Sequence, residues 1–298
     1  MTPATRFGHI AIAGAPNVGK SSLLNAIVGH PLAIVSSKAQ ATRAPTVGLR
    51  TRGDTQFVFH DLPGLLAPGY LMHRRMMASA LEVLRGADVV LQLHPAPEGP
   101  APTLARLMSD PEMAAAVERL PVVVAMTKCD VVTAEVVAGF DPAAVAVSAT
   151  TGVGIERLLD RLESALPVGP WQFPEDDLGT QPVRFFVGEY LREAAFDLLE
   201  EEVPYSFSAE VEEFREDRDP VYIRATLYIE RDSQKRILIG AGGRTIKALG
   251  QHARQRLEEL IGRRVYLETW VKVLPKWRES AAVLSRIGLS TRASGEQP

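Results

Sequence analysis

The chain is poor in cysteine and has no long apolar segment. Its 298 residues include one cysteine, Cys129, which excludes an internal disulfide framework and favours a reducing compartment. No apolar run approaches the roughly 20 residues of a membrane-spanning helix, and residues 1–6 are too short and too polar for a signal peptide. The net charge of −3 indicates no partner by itself. These absences predict a cytoplasmic globular protein, and the length allows about two domains.

A glycine-rich motif lies close to the N-terminus. Residues 14–21 read GAPNVGKS and fit the phosphate-loop pattern G-x-x-x-x-G-K-[ST]. A short apolar run precedes the motif and apolar residues recur at helical spacing after it, which is the strand–loop–helix context that the motif requires. In such a loop the backbone N–H groups point at one phosphate chain. Lys20 would reach the β- and γ-phosphates, and Ser21 would supply a hydroxyl to Mg²⁺.

Two later segments complete the expected phosphate and metal site. A predicted strand ends in the D-x-x-G sequence of residues 61–64, where Asp61 would hold Mg²⁺ and the Gly64 N–H would meet the γ-phosphate. Residues 36–45 are polar, and a threonine hydroxyl there would bind Mg²⁺ only while the γ-phosphate is present, which makes the segment a nucleotide-sensitive switch. Thr42 is the predicted ligand, and Thr46 is the alternative.

A third group of residues predicts a guanine site. Asp130 follows a buried strand, and the crevice at the carboxyl ends of such strands is where ligands bind. Its carboxylate can accept hydrogen bonds from guanine N1 and N2, a pair of donors that adenine lacks. The Lys128 stem would lie over the base. After the next strand, the backbone N–H groups of Ser148 and Ala149 would meet guanine O6.

The first 166 residues resemble a known class of protein. Strands alternate with helices, which predicts an α/β domain with a mainly parallel sheet, and five segments in this order look like the five motifs of a translation-factor-class GTPase. Two positions depart from the common pattern. Thr127 stands where asparagine is commoner, and Leu65 stands where Ras-like proteins place a water-orienting glutamine.

Leu65 leaves open how water is activated. Asn17 stands where some hydrophobic-substituted GTPases use an asparagine to bind K⁺, and a cation there would offset developing negative charge as an arginine finger does. The alternatives are that Asn17 only braces the loop through a backbone hydrogen bond, or that Arg43 supplies the charge.

The second half of the chain has a different character. Residues 167–182 are rich in proline and glycine and predict a linker. Helix and strand patterns follow, and residues 240–243 fit the GXXG loop of a KH domain. Such a loop joins two helices and clamps the backbone of single-stranded RNA. Arg244 and Lys247 add positive charge beside it.

The charges of the second half are segregated. Residues 189–219 carry 12 acidic and 3 basic residues, whereas residues 220–292 carry 15 basic and 6 acidic ones. A basic stripe is typical of a nucleic-acid footprint, although two faces that compensate each other are the alternative. Tyr266, Trp270 and Trp277 lie in the basic stretch and could stack bases. Tyr266 and Trp270 share one strand face, so the alternative for them is the core.

The whole chain resembles the Era family of ribosome-associated GTPases. The residues that carry the resemblance are the motifs at 14–21, 38–43, 173–176, 203–206, 240–243 and 267–273. Ala41 departs from the family's threonine, as does the segment 92–100 from its usual strand ending. The resemblance implies slow GTP hydrolysis, binding of the 3′ end of 16S ribosomal RNA through the KH domain, and assistance to 30S subunit maturation.

The sequence therefore predicts a P-loop GTPase domain over residues 1–166, a linker over 167–182, and a smaller α+β KH domain of type II over 183–298. The expected cofactors are Mg²⁺ with GTP or GDP, and K⁺ is a candidate. The expected protein is a cytoplasmic monomer, with peripheral contact at the inner face of the cell membrane as an alternative location. The rival function is a constitutive RNA-binding protein whose nucleotide domain is structural or holds GDP and turns over little.

The predicted site residues form three sets. Those expected to bind GTP are Ala15, Pro16, Asn17, Val18, Gly19, Lys20, Ser21, Ser22, Asp61, Leu62, Pro63, Gly64, Thr127, Lys128, Asp130, Ser148 and Ala149. Those expected to act in catalysis are Asn17, Lys20, Thr42, Asp61 and Gly64, and the metal ligands among the predicted residues are Ser21, Thr42 and Asp61. Those expected to bind RNA are Ile239, Gly240, Ala241, Gly242, Gly243, Arg244 and Lys247.

Overall fold

A computed structural model describes residues 5–65, 68–108 and 110–290. The chain divides into two compact units. The first unit takes most of the chain as far as Thr180, and the second begins at Gln181 and also includes Tyr70–Arg75. The predicted fold class, an α/β domain with a mainly parallel sheet followed by a smaller α+β domain, is confirmed.

The first unit is built on a six-stranded sheet. Its strands are β1 (Arg6–Ala13), β2 (Thr46–Arg52), β3 (Thr55–Asp61), β4 (Val89–Pro95), β5 (Val122–Thr127) and β6 (Val145–Ala146). Its helices are α1 (Lys20–Val28), α2 (Leu71–Gly86, whose first residues group with the second unit), α3 (Leu104–Leu107), α4 (Pro111–Val117), α5 (Ala134–Ala138) and α6 (Ile155–Ala165). Short 3₁₀ turns lie at Ala96–Glu98 and Cys129–Val131.

The order of the strands brings the predicted motifs to one edge of this sheet. The order is β2-β3-β1-β4-β5-β6, with β2 antiparallel to β3 and the other pairs parallel. The central strands β1 and β4 are almost wholly buried, as expected for parallel strands covered on both faces. Because parallel strands share a direction, the loops that follow β1, β3, β4 and β5 all leave from the same edge.

Several details of the first unit are decided only by the structure. Periodicity over 104–120 predicts one helix with a possible break at Asp110-Pro111, and the break is present, because Pro111 starts a separate helix whose N-cap is Asp110. Helices α2 and α5 have no strong pattern in the sequence, and the sequence analysis did not predict them. In the unusual segment 92–100, β4 continues to Pro95, and the buried Gln92 donates from Nε2 to the Pro102 carbonyl at 2.7 Å.

The segment with linker composition is held against the first unit. The Gln56 side chain, fully buried in β3, donates to the Phe173 carbonyl at 2.9 Å and accepts from the Phe173 N–H at 3.0 Å. Further along, the Leu49 N–H of β2 donates to the Leu178 carbonyl at 2.8 Å. The division between the two units accordingly falls after Thr180, near the end of this segment.

The second unit is a three-stranded sheet with helices. Its helices are α7 (Val183–Leu198), α8 (Val203–Ser206), α9 (Asp232–Ile239), α10 (Arg244–Ile261) and α11 (Ala281–Arg286). Its strands are β7 (Ser208–Arg215), β8 (Val221–Ile229) and β9 (Val265–Val273), in the order β7-β8-β9. Strand β7 is antiparallel to β8, whereas β9 is parallel to it. Short 3₁₀ turns lie at Ala241–Gly243 and Trp277–Glu279.

One face of strand β8 lies in the core of the second unit. Val221, Ile223, Ala225, Leu227 and Ile229 are fully buried, so this face of the strand forms the core. Strands β8 and β9 run parallel with α9 and α10 between them in sequence. This crossover places the turn between α9 and α10, which contains the GXXG sequence, beyond the carboxyl end of β8. Within the described ranges, no helix combines the length and the apolar character needed to cross a bilayer.

Candidate functional site

The phosphate-loop motif connects β1 to α1 as predicted. Helix α1 begins at Lys20, and Gly19 precedes it in the left-handed conformation with φ of 96°. Gly64, from the loop after β3, lies so close to the motif that a Cβ added there would be 3.0 Å from Pro16 Cα. The Leu65 N–H donates to the Gly14 carbonyl at 3.3 Å. The D-x-x-G loop and the phosphate loop are therefore in direct contact.

Lys20 is buried inside the phosphate loop. Its ammonium donates to the Gly14 carbonyl at 3.2 Å and to the Ala15 carbonyl at 2.9 Å, and the residue is 6 % exposed. Burial lowers the pKa of Lys20, while the negative charge of Asp61 opposes this shift. The loop thus holds the cationic end of Lys20 in the curl of the backbone, where a phosphate chain would lie.

The three predicted metal ligands converge on one point. The Ser21 hydroxyl donates to Asp61 Oδ2 at 2.6 Å, and the Thr42 hydroxyl donates to the same oxygen at 3.2 Å. The two hydroxyl oxygens are 3.1 Å apart. Thr46, the alternative to Thr42, lies within β2 and pairs with Asp61 along the backbone. The geometry therefore favours Thr42.

This set of oxygens fits Mg²⁺. Hydroxyl and carboxylate oxygens are the hard ligands that Mg²⁺ prefers, and Mg²⁺ is usually bound by one or two protein groups with the remaining positions taken by phosphates and water. Asp61 is fully buried beside Ser21 and Thr42, and a buried carboxylate needs a compensating positive charge. Ser21, Thr42 and Asp61 would hold the ion.

A cavity of about 390 Å³ lies over these groups. It is lined by the phosphate loop and α1, by Ile34 and Val35, by members of the predicted switch segment 36–45 as far as Thr42, and by Gly64 and Lys128. Ala41 and Arg43 of that segment are buried, and so is Leu65. A buried leucine cannot orient water, so the structure supplies no side chain at the usual glutamine position for that task.

Asn17 joins the phosphate loop to the predicted switch segment. Its side-chain amide donates from Nδ2 to the Ser37 carbonyl at 3.0 Å. The residue is exposed, it lines the cavity, and it has φ of 63°. The sequence analysis gave bracing of the phosphate loop by Asn17 as an alternative role. Asn17 does make a backbone hydrogen bond, but it joins the loop to the switch segment. The bond uses the amide nitrogen, so it is compatible with a cation at the amide oxygen.

Thr127 and Lys128 tie the end of β5 to the phosphate loop. The buried Thr127 hydroxyl lies 2.7 Å from the Val18 carbonyl and 3.3 Å from the His94 carbonyl. Lys128 is in the left-handed conformation with φ of 57°, and its ammonium donates to the Asn17 carbonyl at 3.1 Å. A threonine at position 127 can thus connect the loop and two strand ends through its hydroxyl alone.

The residues predicted to contact guanine follow strands β5 and β6. Asp130 is exposed in the 3₁₀ turn after β5. The Ser148 N–H donates to the Val153 carbonyl at 2.9 Å, within the loop after β6. The Ser148 N–H is therefore engaged within its own loop, which leaves the Ala149 N–H as the candidate for the predicted contact with guanine O6.

The GXXG sequence forms a tight turn between α9 and α10. Gly240 has φ of 73°, and a Cβ added there would lie 2.2 Å from Thr245 Oγ1, so only glycine fits. Ala241 and Gly242 are exposed at the tip. Helix α10 has 18 residues with no acidic residue in its first turn, and a helix N-terminus of this kind attracts anions such as phosphate.

A cleft of about 290 Å³ continues from this turn along α10 and β9. It is lined by Ile246, Lys247, Gly250, Gln251, Arg254, Tyr266, Leu267 and Thr269. Among the described residues, neither Lys247 nor Arg254 makes an ion pair, and Arg244 beside the turn makes none either. The cleft and the turn together therefore form a basic surface.

Other charges of the second unit compensate each other, as the alternative interpretation of the sequence proposed. Arg224 of β8 pairs with Glu212 and Glu213 of β7, and Arg256 of α10 pairs with Glu193 of α7. Much of the acidic stretch therefore neutralises the basic stretch within this unit. Arg244 and Lys247, beside the GXXG turn, are among the cations that this pairing leaves over.

The three aromatic candidates separate into two environments. Trp277 is fully buried and donates from Nε1 to the Ser206 carbonyl at 2.8 Å, so it belongs to the core. Tyr266 and Trp270 are 56 % and 57 % exposed. Their alternation along β9 placed them on one face correctly, but only the packing shows that this face is open.

Two further residues near the site carried no sequence signal. His60, next to Asp61, lies with Nε2 2.9 Å from Nδ1 of His9 on the neighbouring strand. Burial and the neighbouring ring lower the pKa of His60 to about 4. The His60 ring, which lies next to Asp61, is therefore neutral at physiological pH.

Comparison with known proteins identifies both domains. The family described as "50S ribosome-binding GTPase" matches residues 9–128, and the KH domain family matches residues 202–278. A curated protein of Thermotoga maritima named GTPase Era is 38 % identical over 297 residues, which cover 95 % of this chain and 97 % of that protein.

Two solved structures are similar over nearly the whole chain. One is a single-residue variant of Aquifex aeolicus Era bound to GDP.AlF4-, with a TM-score of 0.85, 32 % identity, and coverage of 96 % of this chain and 99 % of that one. The other is Era in complex with MgGDPNP and nucleotides 1506–1542 of 16S ribosomal RNA, with a TM-score of 0.86, 33 % identity, and the same coverage.

Proposed function

Because the chain belongs to the Era family of GTPases, we propose that it is a nucleotide-controlled switch that binds the 3′ end region of 16S ribosomal RNA and assists maturation of the 30S subunit in the cytoplasm. The proposal that the protein binds and hydrolyses GTP is supported by the convergence of Ser21, Thr42 and Asp61 beside the buried Lys20. The relative that was solved with MgGDPNP and RNA supports the choice of ligands.

The residues of the first unit have separate tasks in GTP hydrolysis. Lys20 and the N–H groups of the phosphate loop bind the β- and γ-phosphates. Ser21, Thr42 and Asp61 would hold Mg²⁺, which would supply positive charge beside the reacting phosphate. Thr42 and Gly64 position the switch segment and the D-x-x-G loop around the γ-phosphate, and Asp130 selects guanine. Since Leu65 is buried, positioning and charge carry the reaction without a side-chain base.

The second unit supplies the RNA site. The turn of Gly240–Gly243 allows close approach of a sugar-phosphate backbone, and the N-terminus of α10 with Arg244 and Lys247 supplies positive charge. Measurement of GTP turnover with and without the 16S fragment 1506–1542 tests the switch. Stimulation by the RNA supports it, whereas RNA binding with no turnover under either condition would favour the constitutive RNA-binding protein.

Replacing Ala241 and Gly242 with aspartate is expected to weaken binding of the 16S fragment at moderate salt by at least tenfold. Both residues are exposed at the tip of the turn, so the carboxylates would face the phosphates without disturbing the core. Gly242 has φ of 60°, a conformation that aspartate adopts more readily than most residues. Affinity is measured by titration with labelled RNA.

GTP affinity and turnover without RNA serve as the control for this variant, because both substitutions lie outside the first unit. A correctly folded double variant that binds the fragment as tightly as the parent would contradict the assignment of the RNA site.

We further propose that K⁺ binds at the Asn17 amide oxygen and accelerates hydrolysis. Turnover is expected to be faster in KCl than in NaCl at equal ionic strength, and the preference should disappear in Asn17→Ala. The Ser37 brace uses only the amide nitrogen, which leaves the oxygen for a cation. Asn17→Asp is the matched variant, since it keeps an oxygen at this position while it loses the brace. Equal turnover of the parent in both salts would refute the K⁺ site and direct attention to Arg43 or to groups of the RNA.

A further inference from the structure

The face of the second unit's sheet that carries Tyr266 and Trp270 is open near β9. Tyr266 of β9 pairs in register with Tyr222 of β8, and their rings stack with centroids 5.9 Å apart and planes inclined by 12°. Trp270 lies on the same face four residues further along β9, at a distance of about 13 Å for an extended strand. Two aromatic groups are therefore displayed in a row on the edge strand.

Glu268, between the two on β9, orients Trp270 and also Tyr222, the ring on which Tyr266 stacks. Its Oε2 accepts from the Tyr222 hydroxyl at 2.6 Å, and its Oε1 accepts from Trp270 Nε1 at 2.9 Å. On the other side, the Arg218 guanidinium lies 5.5 Å from the centre of the Tyr222 ring. Exposed aromatic rings that are held in place lose little conformational entropy on binding a flat ligand.

The aromatic row is continuous with the basic cleft beside α10. Tyr266 lines that cleft together with Lys247 and Arg254. Among the described residues, β9 has no strand partner on the side away from β8. A chain that leaves the cleft can thus cross the edge of β9 directly onto Tyr266 and Trp270.

The charges favour an RNA chain over a basic peptide. The two oxygens of Glu268 already accept hydrogen bonds. Of the acids of β7, Glu212 and Glu213 pair with Arg224 and Lys272, and Glu210 pairs with Arg286. Lys247 and Arg254 of the adjoining cleft, in contrast, make no ion pair with any described residue. The carboxylates of the face are therefore already engaged, whereas the cations of the adjoining cleft can bind phosphates.

We propose that the open sheet face at Tyr266 and Trp270 is a second RNA subsite, on which bases that flank the nucleotides held at the GXXG turn stack. The proposal rests on the proposed function and extends it, because the GXXG turn clamps about four nucleotides and the aromatic row adds contacts for the nucleotides beyond them. Stacking on an aromatic ring accepts any base, so this subsite adds affinity with little sequence preference.

The test uses the full protein, the 16S fragment 1506–1542, and versions of that fragment shortened from either end. Tyr266→Ala and Trp270→Ala are each expected to weaken binding of the full fragment by about tenfold. The shortest RNA that still binds should show no such loss, because it ends before the aromatic row. Tyr266→Phe and Trp270→Phe keep a ring and should bind nearly as the parent does.

Fluorescence gives a second readout that a merely structural role would not change. In a Trp171→Phe background, the remaining tryptophans are the exposed Trp270 and the buried Trp277. The full fragment should quench the emission, and the quenching should be absent when Trp270→Phe is added. Leu198→Ala, which truncates another exposed apolar side chain of the same unit, is the matched control and should change neither affinity nor quenching.

The outcomes separate the two proposals. Unchanged affinity for every RNA in Tyr266→Ala and Trp270→Ala, with no quenching, would overturn the second subsite while the proposed function stands. Loss of binding to a protein of the small subunit, with RNA affinity unchanged, would likewise overturn it and assign the face to a protein. If the double aspartate variant at Ala241 and Gly242 binds the fragment normally, the proposed RNA site itself fails.

Discussion

Replacing Lys20 with methionine is expected to reduce GTP turnover by roughly a hundred- to a thousandfold, the range found when a single donor to a reacting oxyanion is removed. Methionine keeps most of the length of the buried stem and removes the charge. The ammonium is buried in the phosphate loop, where it contacts the carbonyls of Gly14 and Ala15. In this low-dielectric position its charge acts on the γ-phosphate more strongly than it would in water.

Phosphate release measures the turnover of this variant, and titrations with GDP and GTP show where the loss arises. GTP affinity should fall more than GDP affinity, because the γ-phosphate is the group that only GTP carries. Arg119→Met removes an exposed positive charge outside the cavity and should leave turnover unchanged. A Lys20→Met protein that unfolds at the parent's temperature and hydrolyses GTP at the parent's rate would contradict the assignment of the phosphate site.

Asp130→Asn is expected to lower GTP affinity by about a hundredfold or more and to raise affinity for xanthosine triphosphate. A hydrogen bond to a charged group contributes about 1.5–3 kcal/mol, and guanine N1 and N2 would both donate to this carboxylate. Asparagine presents an amide nitrogen in place of one oxygen. That nitrogen can donate to the additional carbonyl of xanthine, whereas it opposes the amino group of guanine.

Competition titrations with the two triphosphates measure this exchange of base preference. Asp141→Asn is the matched control, because Asp141 is an exposed aspartate of the same unit whose Oδ1 accepts the Ala143 N–H at 2.8 Å, a role that asparagine can take over. An unchanged ratio of the two affinities in Asp130→Asn would place the base elsewhere.

The phosphate and metal sites were open to prediction because their residues are adjacent in sequence or end a predicted strand. Residues 14–21 form one local loop, and Asp61 ends an apolar strand. The choice between Thr42 and Thr46 was different. Both are threonines near one end of the switch segment, and only the folded position of that segment brings the Thr42 hydroxyl within 3.2 Å of Asp61.

Other features could not be predicted because they depend on distant partners. Residues 167–182 have the composition of a linker, yet Gln56, more than 100 residues away, binds Phe173 through both ends of its amide. The role of Thr127 depends likewise on carbonyls of Val18 and His94. Contacts of this range leave no local pattern of residues from which they could be inferred.

The sequence alone determined the α/β and α+β classes, the order of the motifs, and the position of the GXXG turn, because periodicity and turn-forming residues act over a few neighbouring positions. The tertiary structure decided which groups meet. It buried Trp277 and left Tyr266 and Trp270 exposed, although all three lie in the same basic stretch. It also neutralised Arg224 and Arg256 through acids on other elements. Burial and charge pairing are properties of the packed surface as a whole, so they are fixed only when separate elements come together.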